Sequence, residues 1–526
     1  VQAEDGIRDK QICLVGSEMC IRDSLFTDQY QLTMAQLYWK HGMADRTAQF
    51  DYFFRRYPDY GEHQAGYAIT AGLGWLLDWI SATRIRANDV EALAGQTDRN
   101  GRPRFDRGFL DWLSEAGRFD GLTVRAIAEG RVVHAAEPIV IVEGPLAMAQ
   151  IVETSLLNHL NYQTLIATKT SRIVEQARGG QVLEFGMRRG PDSGTNAGTR
   201  AALIGGADGS SNVGISHVLG TDPRGTHSHS MVQLFMAVGG GELEAFRAFA
   251  DIYPDECVLL VDTIDTLRSG VPNAITVFHE LRAAGHEPLG IRLDSGDLAH
   301  LAVRSAQMLD EAGFEDAAIV LSSDLDELAM WQIREQITQE APAYGLDPMR
   351  VTSRLMYGVG SRLISSHGYP SLGGVYKLVA IAADQGWAPA IKVSDSPEKM
   401  PIPGDKELWR IYDRRGLATA DLVSAGDEEV VPDRAILAHH PHRPSLTRLL
   451  APEDTHEIEP LLETVFTGGS RVSEPDDLDV LGRRRVADLE RLDLGVRRLV
   501  NPHRYHVSVT DKVSALQQEL VARSRL

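Results

Sequence analysis

Hydrophobic and polar positions alternate along this chain in three textures. From Leu25 to about Ile166, "AQFDYFF" and "TVRAIAEGRVVHAAEPIVIVEG" alternate with turn residues between them, the pattern of half-buried strands. "AMAQIVETSLLNHLNYQTLIATKTSRIVEQA" follows, with apolar residues at helical spacing and no Gly or Pro, and predicts one long helix or two joined ones. From Gln181 to about Ala382 short apolar runs recur, each followed by Gly, Asp, Ser or Arg: "VLEFGMRRGPD", "GISHVLGT", "CVLLVDTID", "PLGIRLDSGD", "AIVLSSDLD", "LMYGVGS" and "GGVYKLVAI". Helical segments such as "GELEAFRAFADIY" and "LAVRSAQMLDEAG" lie between many of them. Strand alternating with helix predicts βαβ units and a parallel sheet, and about seven such units would close a barrel. From about Lys392 onward the text is more polar. "SEPDDLDVLGRRRVADLERL" predicts a charged surface helix with its lead-in, and "HRYHVSVTDKVSALQQELVARSRL" a strand followed by a helix.

The first 24 residues show no such periodicity and look like neither a signal nor a transit peptide. Gln2 to Asp9 and Leu14 to Asp23 instead match, codon by codon, a translated sequencing-library adapter. Residues 1–24 are therefore expected to be non-native, with Leu25 the first natural residue. The remaining boundaries are expected at 25–166, an N-terminal α+β region with the long helix, 167–391, the α/β barrel, and 392–526, a C-terminal region. A length of 526 residues suits two to four domains and a core that needs no metal or disulfide staple. The net charge of -20 argues against a general nucleic-acid binder. No apolar run reaches the roughly 18 residues of a membrane span. Two of the three cysteines, Cys13 and Cys20, fall in the adapter segment; Cys257 alone remains, so a reducing, cytoplasmic setting is expected.

Charged and Gly-rich residues gather at the ends of the apolar runs, where a parallel α/β fold places its active site. In "GIRLDSGDL", Asp294 and Asp297 could bind a ribose diol or a hydrated Mg²⁺, and Arg292 offers a planar fork for a carboxylate or phosphate. A strand-end turn with capping acids accounts for the same text. In "EFGMRRGPD", Arg188 and Arg189 suit an anionic ligand, although exposed Arg pairs are common. Gly358 and Gly360 in "YGVGS", and Gly373 and Gly374 in "SLGGVYKL", would let backbone N–H groups approach a phosphate. Neither segment is a Walker loop or a dinucleotide fingerprint. "RGTHSHS" holds two histidines two apart. On a strand they would face the same way, as a metal pair; in a loop, one could serve as a nucleophile toward a phosphoryl group, or both could be ordinary loop residues.

Taken together, "LFTDQYQLTMAQLYW", "EGPLAMAQIVETSLLNHLNYQTLIATKTSRI", "EFGMRRGPD", "GGADGSSNVGISHVLGT", "GTHSHS", "VDTIDTLRSGVPNAI", "RLDSGDL", "YGVGSRLISS" and "GGVYKL" resemble the nicotinate phosphoribosyltransferase family, from Leu25 to the C-terminus. The resemblance implies an irregular TIM-like barrel plus a smaller α+β domain built from both chain ends. It implies a homodimer in which one subunit's N-terminal segment reaches the other's active site. It further implies nicotinate, phosphoribosyl pyrophosphate and ATP as substrates, with Mg²⁺. By the same resemblance the phosphorylated histidine falls on His229. Thr226, Tyr30 (beside Asp28), Arg188, Arg292 and Ser295 fall on substrate contacts, and Ser361, Gly374 and Lys377 on the phosphoribosyl site, where Asp294 is expected from its own segment. Ser211 stands where nicotinamide-using relatives carry an aspartate. Nicotinamide phosphoribosyltransferase and, further off, quinolinate phosphoribosyltransferase are the alternatives within this class. A barrel hydrolase with a metal on His227 and His229 is the alternative outside it, and a non-catalytic, binding-only relative stands behind that.

Overall fold

The computed structural model describes residues 23–394 and 397–524, so most of the adapter-like segment lies outside the described residues. The chain divides into two units. One takes in the described residues up to Thr168 and from Gly368 onward; the other is continuous, Lys169–His367. The unit built from both chain ends is thus the larger of the two, not the smaller domain expected.

Among the described residues that unit rests on two large sheets, beside a two-stranded one of Ala68–Ile69 and Val132–Val133. A seven-stranded one runs, edge to edge, through Gly386–Pro389, Gly374–Ala383, Thr47–Phe54, Val140–Pro145, Thr123–Ile127, Leu462–Thr467 and Ser470–Arg471. The strand Thr47–Phe54 was expected to be half-buried. Every residue from Ala48 on is buried, because the strand is central and covered on both faces. "GGVYKL" does form a strand, but Gly374–Ala383 pairs antiparallel with Thr47–Phe54 and does not continue the parallel sheet of the other unit. A six-stranded sheet holds the C-terminal text. Its strand His506–Val509 precedes the helix Asp511–Ser524, and the charged segment becomes the helix Leu478–Glu490, with Asp477 accepting from the Val480 N–H as N-cap. The long helical text resolves into Leu146–Ile151 and Glu153–Ala177, and the boundary after Thr168 falls inside the second helix.

The continuous unit is a six-stranded parallel sheet in the order Gly209–Ser210, Val182–Glu184, Leu355–Val359, Ala318–Ser322, Gly290–Leu293, Val258–Leu260. Its strands are short and mostly buried, as parallel strands under helices must be. Acidic residues at strand exits start the next helix: Asp297 accepts from the His300 N–H and Asp326 from the Ala329 N–H. The ladders do not close a ring, for none joins Gly209–Ser210 to Val258–Leu260 among the described residues. "GISHVLGT", expected as a strand, is the helix Val213–Val218, because Asn212 accepts from the Ile215 N–H and starts a helical turn there. Between the two edge strands runs the irregular segment 224–227. The Arg224 N–H donates to the Ser210 carbonyl at 2.7 Å, and the His227 ring accepts from the Leu260 N–H at 3.1 Å.

Candidate functional site

The carboxyl ends of the parallel strands assemble one polar cluster. Arg292, third residue of its strand, extends a half-buried guanidinium over the sheet edge. Its Nε donates to the Ser322 hydroxyl at 2.9 Å, one terminal nitrogen to Asp294 Oδ1 at 3.0 Å and the other to the Thr226 hydroxyl at 3.4 Å. Beneath it lies the Phe185 ring, 5.6 Å from the guanidinium carbon. Gly358 makes room for that ring: a Cβ there would meet it at 2.6 Å. Gly360 likewise borders the Phe185 backbone. Both glycines therefore have a packing reason that the sequence did not disclose. Ser361 opens the four-residue helix Ser361–Ile364 beside them.

Asp262 was not singled out from the sequence, yet it organises the next loop. Its Oδ2 accepts from the Asp294 N–H at 3.0 Å and from the Ser295 hydroxyl at 2.5 Å. Its Oδ1 is buried and has no hydrogen-bond partner among the described residues. His229 opens the helix His229–Ala237, with Nδ1 3.0 Å from the Thr263 hydroxyl. Its Nε2 stands 3.9 Å from Asp262 Oδ1 and 3.8 Å from Asp294 Oδ2. The exit of "CVLLVDT" repeats that of "GIRLDS", an acid directly after a buried strand, and this was the available signal for Asp262.

His227 takes no part in that cluster. Burial pushes its imidazole down to about 4, so the ring is neutral near pH 7. Its Nε2 is occupied by the Leu260 N–H and its ring packs on Phe249, with centroids 4.9 Å apart. The two histidines do not form a metal pair, and no group of three or more His, Cys, Asp or Glu suited to a metal occurs among the described residues. For a hydrated Mg²⁺, which needs only one or two carboxylates, Asp262 Oδ1 and Asp294 Oδ2 are fitting donors. Asp297 is not: its carboxylate accepts from the His300 N–H and from Gln336, and the latter contact holds it below the usual carboxylate range against the opposing effect of burial. Arg188 lies on the exposed turn Met187–Arg189 at the same sheet edge. The Ser211 N–H donates to the Glu184 carbonyl at 3.0 Å, while the Glu184 carboxylate gathers the Thr199 and Ser210 hydroxyls.

In the other unit, Tyr30, Glu153 and Lys377 come together. Tyr30 is half exposed, and its phenol is pushed up to about 12 by burial and by the neighbouring Glu153 and Asp28 carboxylates. Lys377 Nζ lies 3.7 Å from Glu153, and burial lowers its ammonium below the usual range. Asp28 precedes the helix Gln29–Lys40 and accepts from the Thr154 hydroxyl at 2.8 Å. Gly373 precedes and Gly374 begins the strand that carries Lys377. A Cβ on Gly374 would stand 2.0 Å from Asn161 Oδ1 and 2.8 Å from the Tyr52 ring. Those two side chains are bonded to each other at 3.0 Å and cannot both yield. Gly374→Ala is therefore expected to destabilise by about 1–3 kcal/mol through overpacking. An unchanged midpoint in urea would show that the strand shifts freely.

Comparison with known proteins agrees with the resemblance. The nicotinate phosphoribosyltransferase N-terminal domain matches residues 25–161, and the C-terminal domain of the same family residues 405–517. A Bacillus subtilis nicotinate phosphoribosyltransferase is 36% identical over 93% of this chain and 93% of its own length. The human protein of that name is 32% identical over 95% of this chain and 96% of its own. The crystal structure of human nicotinic acid phosphoribosyltransferase superposes with a TM-score of 0.76 at 28% identity, covering 94% of this chain and 99% of that one. A nicotinate-nucleotide pyrophosphorylase from Pyrococcus furiosus shares the fold, with a TM-score of 0.64 at 19% identity over 90% of this chain and 97% of its own. With both family domains matched in order and relatives aligned over almost its whole length, this chain belongs to the nicotinate phosphoribosyltransferase family.

Proposed function

We propose that this protein joins nicotinate to the phosphoribosyl group of phosphoribosyl pyrophosphate, forming nicotinate mononucleotide and pyrophosphate for NAD biosynthesis, and couples the step to ATP hydrolysis through His229. The observation that carries this reading is the convergence of Arg292, Thr226, Asp294, Asp262 and His229 at one edge of the parallel sheet. Displacement of pyrophosphate at the ribose C1 carbon passes through an oxocarbenium-like state, as in glycoside chemistry. The pyridine nitrogen is already nucleophilic, so no general base is required. What the protein contributes is orientation and charge: the Arg292 fork for an anionic group, and the Asp294 carboxylate for ribose hydroxyls. Asp262 and Asp294 would hold Mg²⁺, which when bound neutralises the leaving pyrophosphate.

The reaction uses the tautomer of His229 that carries its proton on Nε2, the nitrogen that two carboxylates face at 3.8 and 3.9 Å; Nδ1 then keeps its lone pair, 3.0 Å from the Thr263 hydroxyl. Nδ1 is thus the nucleophile. It bonds to the γ-phosphorus of ATP as the bond to the bridging oxygen breaks, ADP leaves with that electron pair, and water later releases phosphate. The irregular barrel implied by the resemblance fits a sheet whose edge strands are spanned by the segment 224–227. A homodimer in which Tyr30 of one copy stacks on the pyridine ring bound by the other also belongs to this reading, as does a cytoplasmic location. Among the described residues no helix is long and apolar enough to cross a membrane.

The test is product analysis with nicotinate or nicotinamide, each with and without ATP. Nicotinate is expected to be preferred about ten- to a hundredfold, since a charge-assisted bond to its carboxylate contributes roughly 1.5–3 kcal/mol. Ser211 is neutral, so it does not repel that carboxylate; Ser211→Asp should depress nicotinate use sharply with little gain for nicotinamide. Equal use of both substrates by the unaltered protein would promote the nicotinamide enzyme instead.

A further inference from the structure

We infer that His227 is a positioning residue: its imidazole acts as the missing neighbour of an edge strand and thereby sets the place of His229. The inference rests on the phosphohistidine role proposed for His229, but its geometry stands apart from it. Among the described residues the strand Val258–Leu260 has one partner strand, Gly290–Leu293. The Val261 N–H donates to the Arg292 carbonyl on that side. Successive N–H groups of a strand point to opposite sides, so the Leu260 N–H points away from the sheet, where another strand would be needed. Leu260 is 1% exposed, so this donor cannot be left to water. His227 Nε2 meets it at 3.1 Å.

The same bond fixes the histidine two residues on. The stretch 219–228 has no regular structure, and Ser228, at the N-cap of the helix His229–Ala237, makes no side-chain capping bond to that helix. Ser228 bonds Ser230 instead, at 2.6 Å. Ser228 is extended, with φ -112 and ψ 166, which turns the side chains of residues 227 and 229 to the same side. Both grip one strand exit, His227 at the Leu260 N–H and His229 at the Thr263 hydroxyl. Phe249 backs the His227 ring, so the grip is stiff. Removing the acceptor leaves a buried donor unpaired and frees the start of the helix.

Two variants separate acceptor from bulk. His227→Phe keeps a ring against Phe249 but cannot accept; His227→Gln places an oxygen near the position of Nε2. The readouts are the kcat and KM of ATP hydrolysis, melting temperature, and amide exchange of the 257–263 segment. His227→Phe is expected to lower kcat about ten- to a hundredfold with KM for ATP little changed, and to speed exchange at Leu260 by a similar factor. His227→Gln should stay within about threefold on both. Equal exchange and turnover in His227→Phe and the unaltered protein would overturn the inference, as would damage in His227→Gln matching that in His227→Phe. If the unaltered protein hydrolyses no ATP and makes no nicotinate mononucleotide, the proposed function fails. The exchange measurement still decides the role of His227.

Discussion

Arg292→Ala should reduce kcat/KM for nicotinate about ten- to a hundredfold. The guanidinium satisfies Ser322, Asp294 and Thr226 at once, with side-chain exposures of 15% for Arg292 and 30% for Asp294. Leaving Asp294 and Ser322 without that half-buried partner lowers folding stability. Loss of a charge-assisted bond to the substrate costs roughly 1.5–3 kcal/mol, and this is the fall in kcat/KM. Arg292→Lys keeps the charge but not the three-way fork, and should recover only a small part of the loss. Steady-state kinetics beside urea unfolding check both effects. A fall of less than tenfold in the alanine variant would remove Arg292 from the substrate site.

His229→Ala should abolish ATP hydrolysis and the stimulation of synthesis by ATP, while slow ATP-independent synthesis persists. Phosphorylation of Nδ1 would change the charge facing Asp262 and Asp294 and so favour one conformation of the site over another; hydrolysis would reverse it. The hydrogen bonds of Arg292 to Ser322, Thr226 and Asp294 do not involve His229, which is why the basal reaction should survive. Trapping of an acid-labile phosphoprotein from γ-labelled ATP separates the two histidines. Label should be absent in His229→Ala and present, though slower to form, in His227→Phe. Full labelling of the His229 variant would assign the relay to another residue.

The text "GIRLDSGDL" was legible because strand, turn and helix cap each leave their own mark within nine residues. The identities of Arg292, Asp294, Thr226 and His229 as one group came from the resemblance, and the strand exits gather them. Asp262 escaped notice although its context matches that of Asp294, because an acid after a strand is common and its bonds to the Asp294 and Ser295 backbone and hydroxyl are long-range. "GISHVLGT" reads as a strand but forms a helix, because so short an apolar run fits both and the Asn212 cap before it decides for the helix. "GGVYKL" was rightly read as a strand and wrongly placed. Period-two alternation says that a strand forms but not which strand it pairs with, and Thr47–Phe54 lies more than three hundred residues earlier. His227 could not be read at all: the need for an acceptor arises at Leu260, from the edge position of its strand.

That long-range pairing governs the order in which the molecule can form on the ribosome. At about 5–20 residues per second, Thr47–Phe54 emerges roughly 15–60 s before Gly374–Ala383, which covers one of its sides. Meanwhile Phe50 and Tyr52, both fully buried in the finished protein, have only the Val140–Pro145 side paired. The continuous unit Lys169–His367 needs nothing from later residues to complete its sheet. The middle of the chain can therefore fold first, while the beginning waits for the end. During that interval the exposed sheet edge is the part of the nascent protein most open to chaperones and to aggregation.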